Sequence, residues 1–259
     1  MRPSAEQPWR RMAEYEKYLK NMNWRDFGKM VPEKTDTVFL PVGTIEAHGI
    51  IPLGTDIFIP EYLCDELAPR FNGVIAPAVN YGVTRTLIAY PGSHTVTSAT
   101  FEAYLTEILV GFGRSGFRKA VVLNGHGGHI GELKTAARTA YDETGLFSLV
   151  LHWWFMAPDA AKEVYGAEGG HAAAEETAGI LAVDPELVRT EYLEETSAYA
   201  RGAGVSPYPV PASILVESDE SALPDPDVAK AKEYMNRITE ACAETIEKVL
   251  TGWEKELGK

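Results

Sequence analysis

Four short apolar runs, 38–42, 74–79, 120–123 and 148–152, alternate along the chain with segments whose apolar residues recur at helical spacing, near 60–70, 99–115, 132–144 and 172–183. Strands alternating with helices predict an α/β fold, a three-layer α/β/α arrangement around a mostly parallel central sheet. In such folds a site forms outside the carboxyl ends of the strands. Beyond this alternation, residues 227–250 read as a long amphipathic helix, with Val228, Ala231, Tyr234, Met235, Ile238, Ala241, Cys242, Thr245, Ile246 and Val249 near one face. Residues 9–24 also read as helical, with Tyr15, Tyr18, Leu19 and Met22 spaced for burial. Between the two halves of the pattern, 200–226 is rich in glycine and proline and too irregular for a helix. It is expected to be a long ordered loop, covering a pocket, reaching a neighbouring subunit or making a plain surface excursion.

With 259 residues and 45% hydrophobic content the chain can bury a substantial core, and no composition shift marks a linker, so a single domain over 1–259 is expected. A net charge of -13, from 37 acidic against 24 basic residues, argues against nucleic acid or anionic membrane as partners. No run reaches the roughly 18 apolar residues of a spanning helix, and the N-terminal segment lacks the long apolar core of a signal peptide. Cys64 and Cys242 are too few and too far apart for a ligand pair and read as free, buried thiols. The cytoplasm is the expected compartment.

The candidate chemistry lies where the strand-like runs end. Leu40 to Asp56 reads LPVGTIEAHGIIPLGTD and places Glu46, His48 and Asp56 directly after the first run, in a segment punctuated by glycine. Residues two apart in extended chain point the same way, with about 6 to 7 Å between their Cα atoms, so Glu46 and His48 can reach one metal. The run KAVVLN is followed at once by Gly125, His126, Gly127, Gly128 and His129. A third segment, GGHAAAEETA, offers His171 and Glu176 at the start of a helix-like run. Four of the six histidines thus fall in glycine-bordered loops, most of which carry further ligand types. Carboxylates with imidazoles and no thiolates suit a catalytic site for zinc, manganese or iron rather than a structural zinc. His152 reads as a core or strand-end residue. Ser93 beside His94 gives no nucleophile and base, since neighbours in extended chain face opposite ways and no nucleophile elbow is present. The loop 81–97 is instead expected to pack around the substrate, with Tyr90, Ser93 and His94 as contacts, and Trp153 or Trp154 to wall the pocket.

The segments PVGTIEAHG with LGTD, YGVTRTLIAYPGSHTV, LNGHGGH and GGHAAAEET resemble, in order and spacing, the signature regions of the creatininase family of metal-dependent hydrolases. The resemblance spans 38 to about 177. It implies a binuclear centre of two divalent ions, with Glu46 and His126 on one ion, His48 on the other, Asp56 bridging and Glu176 completing the set. His171 would stand beside it as an acid or substrate-binding group. The chain departs from the pattern at His129, where many members have Asn, and at Gly128, where creatininase itself has a glutamate ligand. The usual GHAGEFET also becomes GHAAAEET, which leaves Glu175 as an alternative to Glu176.

The expected function is hydrolysis of a C–N bond in a cyclic amide or formamide by a metal-bridging hydroxide, with His171 and Glu176 as catalytic residues. Tyr90, Ser93, His94, His129 and Trp154 are the expected substrate contacts. Two divalent ions balance Glu46, Asp56, Glu176 and one hydroxide, so the resting centre is roughly neutral, and metal-bound water ionises near pH 7. A ring-opening C–C hydrolase of a cyclic keto-sugar such as a dehydro-inosose is the alternative, and a metal-stabilised scaffold without catalysis a further one. The resemblance also implies a small-molecule substrate and a homo-oligomer, often a hexamer.

Overall fold

The computed structural model describes residues 16–202, 204–216 and 222–258. In chain order its elements are α1 (Trp24–Met30), β1 (Thr37–Val42), α2 (Thr55–Leu67), β2 (Val74–Ile75), α3 (Ser98–Arg114), β3 (Lys119–Asn124), α4 (Ile130–Thr144), β4 (Phe147–His152), α5 (Ala160–Tyr165), β5 (Gly170–His171), α6 (Ala174–Val183), β6 (Ala198–Ala200), β7 (Ile214–Val216) and α7 (Val228–Leu257). A four-stranded parallel sheet in the order β2-β1-β3-β4 forms the centre.

Side chains alternate across the sheet, and both sets are buried because helices cover both faces. Phe39, Val121, Leu123 and Leu151 pack with Ile59, Leu63, Ala178 and Ile238, from α2, α6 and α7. Val38, Leu40, Val42, Ala120 and Val122 pack with Phe101, Leu105, Leu109, Leu133 and Ala136, from α3 and α4. The expected three-layer α/β/α fold with a parallel sheet is therefore observed. Val42, Asn124 and His152 end their strands in one row across the sheet, Val42 beside Asn124 and Asn124 beside His152.

Several boundaries differ from the sequence pattern. The run 74–79 pairs only at Val74–Ile75, because Pro77 has no N–H to offer the ladder, and contact resumes at a bridge from Val79 to Val42. Helix α2 starts five residues before Pro60, which lies inside it. Since proline lacks the N–H that would bond to the residue four back, the Asp56 carbonyl is left out of the helical ladder. It packs instead against the Cα atoms of Gly43 and Gly125, where any Cβ would lie under 3.0 Å from it. This close approach fixes the start of α2 over the sheet end.

The stretch expected as one irregular loop carries β7, which pairs antiparallel with β5 and parallel with β6 in a small second sheet. Three-residue strands leave too little periodicity to read from sequence. The expected helix over 9–24 lies outside the described residues up to 15. From 16 onward it is not α-helical, since Tyr18 bridges to Ile75, Lys17 accepts a hydrogen bond from the Ile75 N–H, and a short 3-10 turn follows at Leu19–Asn21. Helix α7 begins where Asp227 caps it, its carboxylate accepting from Ala229 N and Lys230 N. Its face at Ala231, Tyr234, Met235, Ile238, Cys242 and Ile246 is buried as expected, whereas Val228 in the first turn is exposed. Cys64 and Cys242 are free and buried.

Candidate metal centre

Above the row of strand ends, two buried carboxylates, a third that is partly buried, and three imidazoles meet. Asp56 offers one oxygen to each of two histidines: Oδ1 lies 3.0 Å from His48 Nε2 and Oδ2 lies 2.9 Å from His126 Nδ1. Glu46 Oε1 lies 3.3 Å from His126 Nδ1 and 3.5 Å from His171 Nδ1. Glu176 Oε2 comes from α6 to within 3.7 Å of His48 Nε2. Loop, helix and small sheet each deliver part of the cluster.

Each imidazole is oriented by a backbone carbonyl. His48 Nδ1 bonds to Glu46 O at 3.0 Å, His126 Nε2 to Val83 O at 2.9 Å and His171 Nε2 to Ala47 O at 2.7 Å. A carbonyl only accepts, so the proton of each neutral ring sits on that nitrogen and the other nitrogen turns a lone pair toward the carboxylates. This is the arrangement in which metal-ligating histidines are held.

Asn124 fixes the His126 loop from below. Its Nδ2 donates to His126 O (2.7 Å) and reaches His152 Nδ1 (2.9 Å), while its Oδ1 accepts from His126 N (3.1 Å) and faces His129 Nε2 (2.8 Å). At the third segment, Ala172 adopts a positive φ of 56°, unusual for a residue with a Cβ. That turn swings the chain from β5 into α6 and lets Ala172 N donate to the Glu176 carboxylate. Gly170 N donates in the same way to Glu175. Of the two adjacent glutamates, Glu176 faces the histidines and Glu175 does not enter a ligand set.

The electrostatics are those of a site built for more positive charge than the protein supplies. Burial works to raise the Glu46 and Asp56 carboxyls, but the neighbouring histidines outweigh it and hold both below their ordinary values. Burial would lower His48, yet Asp56 and Glu176 hold it up at about 10. Burial raises Glu176 to about 7 despite His48, and it raises Glu175, beside Glu176, to about 8. His171 is pushed down to about 4, first by burial and then by His48. Every ion pair of Glu46, Asp56 and Glu176 among the described residues is with a histidine. Glu46 Oε2 is buried without a hydrogen bond, and Asp56 Oδ2 has only the His126 ring nitrogen beside it. Buried carboxylate oxygens facing imidazole nitrogens, which a cation would bind in place of their protons, fit a divalent metal. Three overlapping ligand sets result: Glu46, Asp56 and His126; His48, Asp56 and Glu176; Glu46, His48 and His171.

The cluster floors a cavity of about 770 Å³. Trp154 lines it, as do Arg85, Phe155, Lys162 and Tyr208. The other expected contacts do not. Ser93 Oγ accepts from Ala47 N and His94 N donates to Ile45 O, so both brace the outer side of the Glu46–His48 loop. Tyr90 OH donates to Val210 O, and His129 is sealed beneath the site, stacked on Phe101 at 4.4 Å. Trp153 is fully buried in the core, while His152, at the end of β4, bonds to Asn124. Asn124, ending an apolar strand just before the GHGGH segment, was legible as a polar residue in an apolar run. The carbonyls of Ala47 and Val83 carry no sequence signal.

A sequence profile described as creatininase, creatinine amidohydrolase, matches residues 20–250. The chain belongs to the creatininase family. Family membership makes it a hydrolase and sets aside the scaffold reading. A 3-dehydro-scyllo-inosose hydrolase of Thermotoga maritima is 28% identical over 189 residues, covering 69% of this chain and 60% of that protein. A mycofactocin precursor peptide peptidase of Mycolicibacterium smegmatis is 29% identical over 240 residues, covering 86% of this chain and 88% of its own. A mutant creatininase of Zn-Zn type superposes with a TM-score of 0.77 at 22% identity, over 90% of this chain and 98% of its own, which establishes the shared creatininase fold. Among the described residues no helix is long and apolar enough to cross a membrane.

Proposed function

We propose that this member of the family is a binuclear metal-dependent hydrolase that cleaves the C–N bond of an amide, whether a cyclic amide, a formamide or a peptide. The observation that carries the reading is Asp56, whose two oxygens face two different histidines and which is shared by the set of Glu46, Asp56 and His126 and the set of His48, Asp56 and Glu176. In this reading Glu46, Asp56 and His126 hold one ion and His48, Asp56 and Glu176 the other. The glutamate that creatininase takes from the turn after its central histidine is replaced here by Glu176 from α6. When bound, the ions supply Lewis acidity and a water acidic enough to ionise near neutral pH.

The chain's own groups do the rest. His171, neutral at pH 7 with its N–H spent on Ala47 O, presents Nδ1 as an acceptor toward the cavity floor. A general acid would need a second proton at that atom, so, with the second ion held by His48, Asp56 and Glu176, His171 first accepts the proton of the attacking water and then returns it to the leaving nitrogen. Trp154 closes one wall and limits water access to the reacting carbonyl. The relative of 29% identity is named as a peptidase, and a cavity of this volume accommodates a substrate larger than a bare small ring.

Zinc- or manganese-loaded protein is expected to hydrolyse at least one of a cyclic amide, an N-formyl compound or a peptide amide. Asp56→Asn should lose that activity by on the order of 10²-fold or more, since metal polarisation contributes several kcal/mol. The relative of 28% identity supports a second reading, opening of a cyclic keto-sugar at a C–C bond. Turnover of such a ketone with none of the three amide classes cleaved would replace the first reading with the second.

A further inference from the structure

We infer that the second ion of the centre has two alternative seats, one made by His48, Asp56 and Glu176 and the other by Glu46, His48 and His171, so that His171 is a metal ligand in its own right. The inference rests on the binuclear reading above.

His171 is held as His126 is held. Both donate Nε2–H to a carbonyl, at 2.7 and 2.9 Å, and both turn Nδ1 toward Glu46 Oε1, at 3.5 and 3.3 Å. The His171 ring lies 4.2 Å, centroid to centroid, from that of His48. One atom each of Glu46, His48 and His171 lie within 4.8 Å of one another, the same closeness found for the other two sets. Glu46 also has an oxygen, Oε2, that is buried and has no partner.

The two seats exclude each other. His48 Nδ1 is spent on the Glu46 carbonyl, so Nε2 is the one nitrogen of His48 free to ligate, and a nitrogen lone pair serves one ion. The seats also differ in chemistry. The Glu176 seat has two carboxylates and one imidazole, which suits a hard, oxygen-preferring cation such as manganese. The His171 seat has two imidazoles and one carboxylate, the donor set of many zinc hydrolases. Zinc should therefore tolerate loss of Glu176, and manganese should not.

The test is metal content per chain after dialysis against a weak chelator, with far-UV circular dichroism to confirm folding. Wild-type protein should retain about two ions of either metal. Glu176→Gln should still retain two zinc ions but only one manganese, His171→Gln should retain two manganese ions and hold its second zinc at least tenfold more weakly, and the double variant should retain one ion of either metal. A single zinc in folded Glu176→Gln, or two zinc ions in the folded double variant, would overturn the second seat while leaving the binuclear centre intact. Fewer than two ions in the wild type would overturn the binuclear reading and this one with it.

Discussion

Gly128 stands where the resemblance to creatininase implies a ligand glutamate, and the geometry gives a reason why no side chain is accommodated there. A Cβ built on Gly128 falls under 3.0 Å from both His126 Nε2 and Val83 O, the two atoms that form the 2.9 Å hydrogen bond orienting His126. Neither can retreat easily: Val83 O is backbone, and the His126 main chain is held on both sides by Asn124. Gly128→Ala therefore has to break the bond that keeps the proton on Nε2 and the lone pair of Nδ1 toward Glu46 and Asp56. Loss of such an orienting partner lowers metal affinity by about 10- to 100-fold, or roughly 1.4 to 2.8 kcal/mol. Competition with a chelator of known affinity measures the effect, and thermal unfolding of the metal-free protein checks that the variant folds. In the binuclear reading the expected outcome is weakening at the ion assigned to His126, with the ion assigned to His48 less affected. A folded Gly128→Ala protein that binds both ions within threefold of wild type would refute the role given to the Val83 carbonyl.

Two further predictions concern the metal-free protein and the residue beneath the site. His48, ordinarily near 6.5, is raised to about 10, and Glu176, ordinarily near 4.5, to about 7; groups raised on folding stabilise below their ordinary values and lose that contribution as pH rises through the folded ones. Metal-free protein should thus unfold at progressively lower temperature as pH increases from about 6.5 to 10, and bound metal should flatten the trend; a rising melting temperature over that window would contradict the assignment. Asn124→Ala strands the His126 N–H and the His129 ring nitrogen in a buried site, at about 1–3 kcal/mol for each orphaned group. Urea unfolding should therefore show a loss of about 2 to 6 kcal/mol, and Asn124→Asp, which keeps the oxygen that both donors face, should lose less; equal losses would count against the hub.

The apolar runs that end at Val42, Asn124 and His152 determined the parallel sheet, because a strand covered on both faces needs apolar side chains on both, and that requirement is written locally. Glycine-bordered loops carrying Glu46, His48, Asp56 and His126 at those strand ends likewise made a candidate metal site legible, since ligand chemistry is carried by residue type. Folding decided what residue type cannot carry. Gly43 and Gly125 admit the Asp56 carbonyl because Pro60 leaves it without a helical partner, and so Asp56 stands between two histidines. Ser93, His94 and Tyr90, polar residues in a signature loop, do not line the cavity, since Ser93 and the His94 main chain bond to the ligand loop and Tyr90 bonds to Val210 O. Glu176 rather than Glu175 faces His48 because a left-handed turn at Ala172 and three-residue strands distant in sequence aim the first turn of α6. The tautomers of His126 and His171 are set by backbone carbonyls contributed through tertiary contact, groups that every residue possesses and no sequence distinguishes.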